Sequence, residues 1–277
     1  MPFAVNGPCS VFYETFGDPA DPALLLVNGM TSQCTFYPIE WCERFVSAGL
    51  FVVRMDNRDV GLSTDCEGVG YTLDDMAQDC FAVLDACDVA AAHVHGLSLG
   101  GSIVQTMAIA RPDRILSLTS VMSSSGEEAF RRADPAVDQL LNVPSPSTPA
   151  EYIAQHIDGL RAYGSPEFAD EERWHHDASQ AVERSFRPLG PGRQYLAARA
   201  SGSREAALRV LDVPTLVMHG SHDTLIHPMA GRRTAALIPG ARFVLLNGMG
   251  HDYPPQMWAE WTRHVVDHIN ASRVRTG

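Results

Sequence analysis

The sequence contains no lysine: all 21 of its basic residues are arginine. A chain without lysine has no Schiff-base lysine, no lysine general base and no P-loop lysine. Basic residues are also outnumbered by 33 acidic ones, which gives a formal net charge of −12. Nucleic acids and anionic membrane surfaces select basic patches, so neither is expected as a partner.

Signatures of metal sites, secretion and membrane insertion are missing as well. The six cysteines form no C-x-x-C pair, and their spacing matches no zinc site, so we expect no metal and no other cofactor. His219, His222 and His227 lie close together but fit no metal-binding pattern. No apolar run approaches the length of a membrane span, and the first residues lack the features of a signal peptide. We therefore expect a cytoplasmic protein with reduced thiols and no membrane insertion.

The sequence does contain an alternation of strand-like and helix-like stretches. With 277 residues, 45% of them hydrophobic, the chain can form one large core. Unbroken apolar strands between helices predict an α/β fold with a parallel sheet covered on both faces. The predicted strands are residues 11–17, 23–29, 50–56, 91–96, 115–123, 214–220 and 241–248.

The alternation stops between about residues 124 and 208. This segment is polar, helix-leaning and interrupted by proline, with "NVPSPSTP" as its most loop-like part. A helical insert within an α/β alternation is typical of a lid over the strand ends. We therefore predict a core domain made of residues 1–123 and 209–277, with residues 124–208 as a helical cap.

Ser98 lies between glycines in "HVHGLSLGG", directly after a predicted strand and before a predicted helix. This is the pattern of a nucleophile elbow, a tight strand-to-helix turn in which a Cβ at the flanking positions would collide with neighbouring backbone. The alternative is that Ser98 only caps the following helix, a common role for serine.

A serine nucleophile needs a base, and the base needs an acid that orients it. In this fold type they follow in the order Ser, Asp or Glu, His. Asp223 follows the next-to-last predicted strand, and His251 follows the last one. The carboxyl ends of parallel strands meet in one crevice, so these three residues are predicted to form a catalytic triad. The alternatives are that Asp223 is a turn former and that His251 is an incidental loop residue, while Asp252 is expected to be structural.

An acyl-transfer site also needs N–H donors for the developing oxyanion. The amide of Leu99, directly after the nucleophile, is predicted to supply one, and the amide of Met30, in the loop after an earlier strand, the other. Aromatic residues at such places often belong only to the core. The predicted substrate pocket consists of Gly29, Phe36, Trp174 and Tyr253, and a role only in the core is the alternative for its aromatic members.

Four segments carry a resemblance to the α/β-hydrolase superfamily: "FGDPADPALLLVNGM", "VVRMDNRDVGLST", "HVHGLSLGG" and "GMGHDYP". Within it, the chain resembles bacterial carboxylesterases of the aclacinomycin methylesterase type. Asp59 stands where many members have glycine, and Asn28 stands where a histidine is familiar. The resemblance implies a mostly parallel eight-stranded sheet with helices on both faces, a helical cap, and the triad and oxyanion residues given above.

These features predict a serine hydrolase that cleaves a small-molecule carboxylic ester through an acyl-enzyme. A cofactor-free haloperoxidase or perhydrolase and a carbon–carbon bond hydrolase are alternatives on the same triad. A non-catalytic small-molecule receptor also stays open, because fold alone does not fix function. A haloalkane dehalogenase or epoxide hydrolase is disfavoured, since those need aspartate in place of Ser98. The sequence is compatible with a homodimer, although no pattern marks an interface.

Overall fold

The computed structural model describes residues 1–276 except 128–133, 136, 138 and 140–142. Within these residues, eight strands form one sheet in the order β1-β2-β4-β3-β5-β6-β7-β8. The strands are β1 (Phe3–Asn6), β2 (Cys9–Phe16), β3 (Ala23–Val27), β4 (Phe51–Met55), β5 (Ala92–Leu97), β6 (Ile115–Val121), β7 (Thr215–Gly220) and β8 (Arg242–Leu246). Strand β2 pairs antiparallel with β1 and β4, and all other neighbours are parallel. The predicted fold class is confirmed.

Helices cover both faces of the sheet. Helices α2 and α3 pack on one face, and α1 and α9 pack on the other. No helix in the described ranges is long and apolar enough to cross a membrane. The described α-helices are α1 (Ile39–Val46), α2 (Leu73–Ala86), α3 (Leu99–Ala110), α4 (Pro149–Tyr163), α5 (Glu171–Arg184), α6 (Gly190–Ala200), α7 (Glu205–Leu208), α8 (Pro228–Leu237) and α9 (Trp258–Thr276).

Strand β1 was not predicted from the sequence, and its burial explains why. The strand is an edge strand of four residues whose apolar run is only Phe3 to Val5, and Phe3 and Val5 are exposed while Ala4 is buried, so the run is shorter than that of the predicted buried strands. The last helix extends past its predicted end at about residue 269. It does so because Val265, Ile269 and Ser272 continue one buried face along it.

The predicted cap, residues 124–208, includes 128–133, 136, 138 and 140–142, which lie outside the described residues. Its described part contains helices α4 to α7. These helices contact loops that follow the carboxyl ends of several strands. Gln33 Nε2, after β3, donates to the Ala181 carbonyl at 2.6 Å, and Asp56, after β4, pairs with Arg184 at 2.8 Å. The domain boundaries themselves stay a prediction.

Candidate active site

Ser98 occupies the turn between β5 and α3 in a conformation that serine rarely adopts, with φ 54° and ψ −116°. Such a backbone costs about 1–3 kcal/mol and persists only where its surroundings impose it. The Ser98 amide donates to the Val121 carbonyl of the neighbouring strand at 2.8 Å. Its side chain makes no capping hydrogen bond to α3, so the helix-cap alternative does not describe this serine.

The glycines around Ser98 allow helix α3 to cross the strand ends in direct contact. A Cβ at Gly100 would collide with the Val27 carbonyl, and a Cβ at Gly96 would collide with the Gly100 carbonyl. Backbone atoms cannot move aside as a flexible side chain can. The small residues therefore let the turn present Ser98 at the end of the sheet.

The three predicted triad residues meet in space. The Ser98 Oγ and His251 Nε2 atoms are 2.9 Å apart, and His251 Nδ1 is 2.7 Å from Asp223 Oδ2. Asp223 Oδ1 accepts hydrogen bonds from the amides of Leu225 and Ile226, at 3.0 and 2.8 Å. This is the geometry of a base hydrogen-bonded to a nucleophile and oriented by a carboxylate.

The carboxylate of Asp223 is held in its charged form although it is only 2% exposed. Burial alone raises the pKa of Asp223, but the neighbouring His251 imidazole and the N–H of His219 outweigh burial and lower that pKa to about 2. Asp223 is therefore an anion at neutral pH. An anion in this position favours the imidazole tautomer that carries its proton on Nδ1, which leaves Nε2 free to accept a proton from Ser98.

The loops that carry Asp223 and His251 are both tied to one segment at the end of α4. The His251 amide donates to the Tyr163 carbonyl at 2.6 Å, and Thr224 Oγ1 donates to the Ala162 carbonyl at 3.0 Å. Ser165 Oγ accepts from the Gly250 amide at 2.9 Å and donates to Asp252. Asp252 is thus structural, as predicted. These hydrogen bonds have no local sequence signal, because they join residues that are far apart along the chain. Thr224 and Ala162 are 62 residues apart, and the partners in the other bonds are 85 or more residues apart.

The loop after β3 is fixed by the side chain of Asn28, which is fully buried. Its Oδ1 accepts from the Gly29 amide at 2.8 Å, and its Nδ2 donates to the Gln33 carbonyl at 3.0 Å. The Thr31 amide donates to Gln194 of α6 at 3.3 Å. Among the described residues, none accepts a hydrogen bond from the Met30 amide between them.

The surroundings of Asp59 explain why "DNRDVGLS" has aspartate at a position where many superfamily members have glycine. Its φ of 71° lies in the left-handed region, where glycine is favoured. The carboxylate accepts from the Cys66 amide at 2.7 Å, the Tyr71 hydroxyl at 2.6 Å and Arg193 of α6 at 2.7 Å. Burial raises the pKa of Asp59, but the bonds from Arg193 and Tyr71 outweigh it and lower the pKa. The aspartate thus links the core to the insert.

A family model described as alpha/beta hydrolase fold matches residues 22–253. The chain belongs to this α/β-hydrolase family. The hydrolase is 31% identical to rhodomycin D methylesterase DnrP of Streptomyces peucetius, over 97% of this chain and 98% of the relative. It is also 31% identical to rhodomycin D methylesterase DauP of Streptomyces sp. strain C5, over 96% of each chain. A meta-cleavage product hydrolase from Pseudomonas fluorescens IP01 has the same fold, with a TM-score of 0.80, 16% identity and 98% of each chain covered.

The four predicted pocket residues of the hydrolase lie in different surroundings. Gly29 lies against the nucleophile, since a Cβ there would be 3.3 Å from the Ser98 Cβ. The Phe36 ring packs edge-on against His156 of α4 at 5.6 Å. Trp174 is buried on α5, and the ring of Tyr253 belongs to an aromatic cluster that includes Tyr37, Trp41 and Trp261. A pocket role for the four stays a prediction.

Helix α4 adds aromatic groups near the site that the sequence did not single out. The Tyr163 ring lies edge-on to the His251 ring at 6.0 Å, and Tyr152 stacks with His156 at 6.3 Å. Burial lowers the pKa of His156 to about 4, so this imidazole is neutral at pH 7. Helix α4 therefore places the uncharged ring of Tyr163 beside His251 and the ring of His156 beside Phe36.

The three histidines around Asp223 have separate environments. His222 Nδ1 is 3.0 Å from the Ser221 hydroxyl, and His227 accepts a hydrogen bond from the Met229 amide at the start of α8. His219 is fully buried against Asp223. Over the described part of the chain, no group of three or more His, Cys, Asp or Glu residues is arranged to hold a metal ion.

Proposed function

We propose that this α/β hydrolase cleaves a carboxylic ester of a small molecule, with Ser98 as nucleophile, His251 as general base and Asp223 as the orienting acid. One observation carries the proposal: the continuous relay from Ser98 Oγ to His251 Nε2, 2.9 Å, and from His251 Nδ1 to Asp223 Oδ2, 2.7 Å. A serine needs such a base within hydrogen-bond reach before it can attack a carbonyl carbon.

In the first half of the reaction, Ser98 Oγ attacks the ester carbonyl carbon while its proton passes to His251 Nε2. The anionic Asp223 stabilises the imidazolium that forms. Collapse of the tetrahedral intermediate breaks the bond to the alcohol, which leaves with the proton from His251. In the second half, water gives a proton to His251 and attacks the acyl-enzyme. The intermediate then releases the acid and restores the Ser98 proton.

The oxyanion that forms in each half is proposed to accept from the amides of Leu99 and Met30. Leu99 is the first residue of α3, whose N–H has no carbonyl partner within the helix and lies at the positive end of its dipole. The amides on either side of Met30 donate to Asn28 and Gln194, which supports Met30 as the donor of this loop. Amides held in advance stabilise the transition state without reorganisation.

The substrate is proposed to be a methyl ester, because the chain is 31% identical to two rhodomycin D methylesterases over nearly its full length. Residues 124–208 are proposed to act as a cap that shapes the part of the site that binds the acyl group of the ester. The contacts of α4 with the loop of His251 and of α6 with the loop of Met30 support this proposal. A cytoplasmic location and a homodimer stay predictions.

The first test is labelling with a fluorophosphonate, which reacts with an activated serine. We expect labelling at Ser98 in the wild type and none in Ser98→Ala, with the modified peptide identified by mass spectrometry. Ser102→Ala is the matched control, because Ser102 lies one turn along α3 and its hydroxyl contacts Ser123 rather than His251. It is expected to label like the wild type.

The second test compares methyl esters of increasing acid size, with peroxide-dependent bromination and ring-cleavage substrates assayed in parallel. We expect ester cleavage that falls by several powers of ten in Ser98→Ala. If Ser98 is labelled but only a non-ester substrate is turned over, the proposed ester cleavage is contradicted while Ser98 remains the nucleophile. A folded wild type that neither labels nor turns over any ester would contradict the proposal as a whole.

A further inference from the structure

His219, at the carboxyl end of β7, is in direct contact with the acid of the relay. The residue is fully buried, and its Nε2 atom is 3.0 Å from Asp223 Oδ2. The same atom is 2.7 Å from the carbonyl oxygen of Ile226. Asp223 is therefore flanked by two histidines, of which the mechanism above uses only His251.

The protonation of His219 follows from these neighbours. A carbonyl oxygen can only accept a hydrogen bond, so Nε2 must carry the hydrogen that points at Ile226. The other ring nitrogen, Nδ1, has no hydrogen-bond partner among the described residues and packs against Gly231 of α8. A Cβ at Gly231 would be 2.5 Å from Nδ1, so the ring fits only because this residue is glycine.

The Nε2–H group of His219 acts on Asp223 in two ways. Its hydrogen bond to the Ile226 carbonyl anchors the turn whose Ile226 amide donates to Asp223 Oδ1 at 2.8 Å. Its partial positive charge also lies beside Oδ2, the oxygen that accepts from His251. With two amides on Oδ1 and two imidazoles at Oδ2, the carboxylate has no freedom to rotate away from His251.

We propose that His219 is a positioning residue for the reaction: it holds the Asp223 turn and keeps the Asp223 carboxylate aimed at His251. This rests on the proposed function, in which Asp223 orients the base. His219 touches neither substrate nor the reacting atoms and acts through Asp223. The other titratable groups that face Asp223 are Tyr163 from α4 and Asp252 from the loop of His251.

The variant His219→Leu removes the N–H and keeps an apolar side chain, whereas His219→Gln keeps an N–H donor at nearly the same reach. The matched control is His93→Leu, which removes a buried histidine near the amino-terminal end of β5. In the sheet, β5 lies two strands away from β7, the strand of His219. His93 bonds to Ser117 at 2.8 Å and has no contact with the relay. Thermal unfolding of all three variants identifies those that fold.

The readout is the second-order rate of fluorophosphonate labelling at Ser98 from pH 5 to 9, which requires no knowledge of the substrate. For His219→Leu we expect a rate about 10 to 100 times lower, because both the anchor of the Ile226 turn and the partial positive charge beside Asp223 Oδ2 are lost. The acid-side midpoint is expected at lower pH, since a carboxylate that is no longer held toward His251 stabilises the imidazolium less. His219→Gln is expected to recover most of the rate and the wild-type midpoint.

Equal rates and equal midpoints for folded His219→Leu and His93→Leu would overturn the positioning role, as would a His219→Gln variant that is as slow as His219→Leu. If His219→Leu does not fold, the comparison of His219→Gln with the wild type decides, because a positioning donor predicts near-wild-type labelling. A wild type that does not label at Ser98 overturns the proposed function instead, so the two failures are distinguishable.

Discussion

The backbone amide of His251 donates a hydrogen bond of 2.6 Å to the carbonyl oxygen of Tyr163, the last residue of helix α4. The base of the candidate relay is therefore held by the insert and not only by the core sheet. Three further hydrogen bonds between Ser165 and the residues on either side of His251 strengthen the tie: one from the Gly250 amide to Ser165, and two from Ser165 to Asp252. Any change in the position of α4 must consequently move His251 relative to Ser98.

Ser165→Ala should weaken this tie. Ser165 is 1% exposed, and the loss of its hydroxyl leaves the buried Gly250 amide and an oxygen of the half-buried Asp252 without that partner. We expect the free energy of unfolding to fall by about 1–3 kcal/mol and the labelling rate at Ser98 to fall with it. Ser179→Ala is the control, since the Ser179 hydroxyl is exposed and bonds within α5. Equal urea midpoints for the two variants would show that the tie contributes nothing.

Gly100→Ala should disrupt the nucleophile turn. The added Cβ would meet the Val27 carbonyl, so β3 and α3 must move apart. We expect loss of labelling at Ser98 together with destabilisation of about 2 kcal/mol or more. Gly70→Ala is the matched control, because Gly70 has no atom within 4 Å of its Cβ position and is expected to behave like the wild type. A Gly100→Ala variant that labels at the wild-type rate would mean that the close approach is dispensable.

The fold and the relay could be predicted from the sequence because both have local signals. Apolar strands and periodic helices repeat along the core, and the small residues around Ser98 follow directly from the collision of a Cβ with backbone. The order of Ser98, Asp223 and His251 then follows from where parallel strands end. Each step needed only a few neighbouring residues and one rule of chain topology.

The supporting contacts could not be predicted, because they join residues with no local pattern in common. Ser165 and Asp252 lie 87 residues apart, and neither has a special sequence context. His219 stands in a buried strand whose sequence only predicts burial, and its contact with Asp223 depends on how the following turn folds back. Such contacts are fixed by tertiary packing and become visible only in the structure.

Asp59→Gly tests why aspartate is present at a position whose backbone is in the left-handed conformation. Glycine relieves the strain of a φ of 71°, worth about 1 kcal/mol. It also removes the acceptor of the Cys66 amide and of the Tyr71 hydroxyl, at about 1–3 kcal/mol for each unpaired buried group, and it removes one of the two carboxylates that pair with Arg193. We expect a net loss of stability in urea unfolding, with Asp59→Asn less affected because asparagine tolerates this backbone and retains an acceptor. A glycine variant at least as stable as the wild type would contradict this account.

His95 should make the folded state sensitive to acid. It is fully buried and accepts a hydrogen bond from Trp261 Nε1 at 3.0 Å, and burial lowers its pKa from 6.5 to about 3. Between these values the unfolded chain binds a proton that the folded chain does not, so stability falls as the pH falls through this window. The expected slope from His95 is on the order of 1 kcal/mol per pH unit below pH 6.5.

The measurement is the free energy of unfolding in urea at several pH values from 7 to 5 for the wild type, His95→Gln and His176→Gln. Glutamine at position 95 keeps an acceptor for Trp261 but cannot titrate, so its stability should fall less steeply with acid. His176 is exposed on α5, and its removal should leave the wild-type slope unchanged. Burial lowers the pKa of His93 and of His268 to about 4 as well, so a residual slope is expected in His95→Gln. If the slopes of the wild type and His95→Gln coincide, His95 is not the buried neutral base described above.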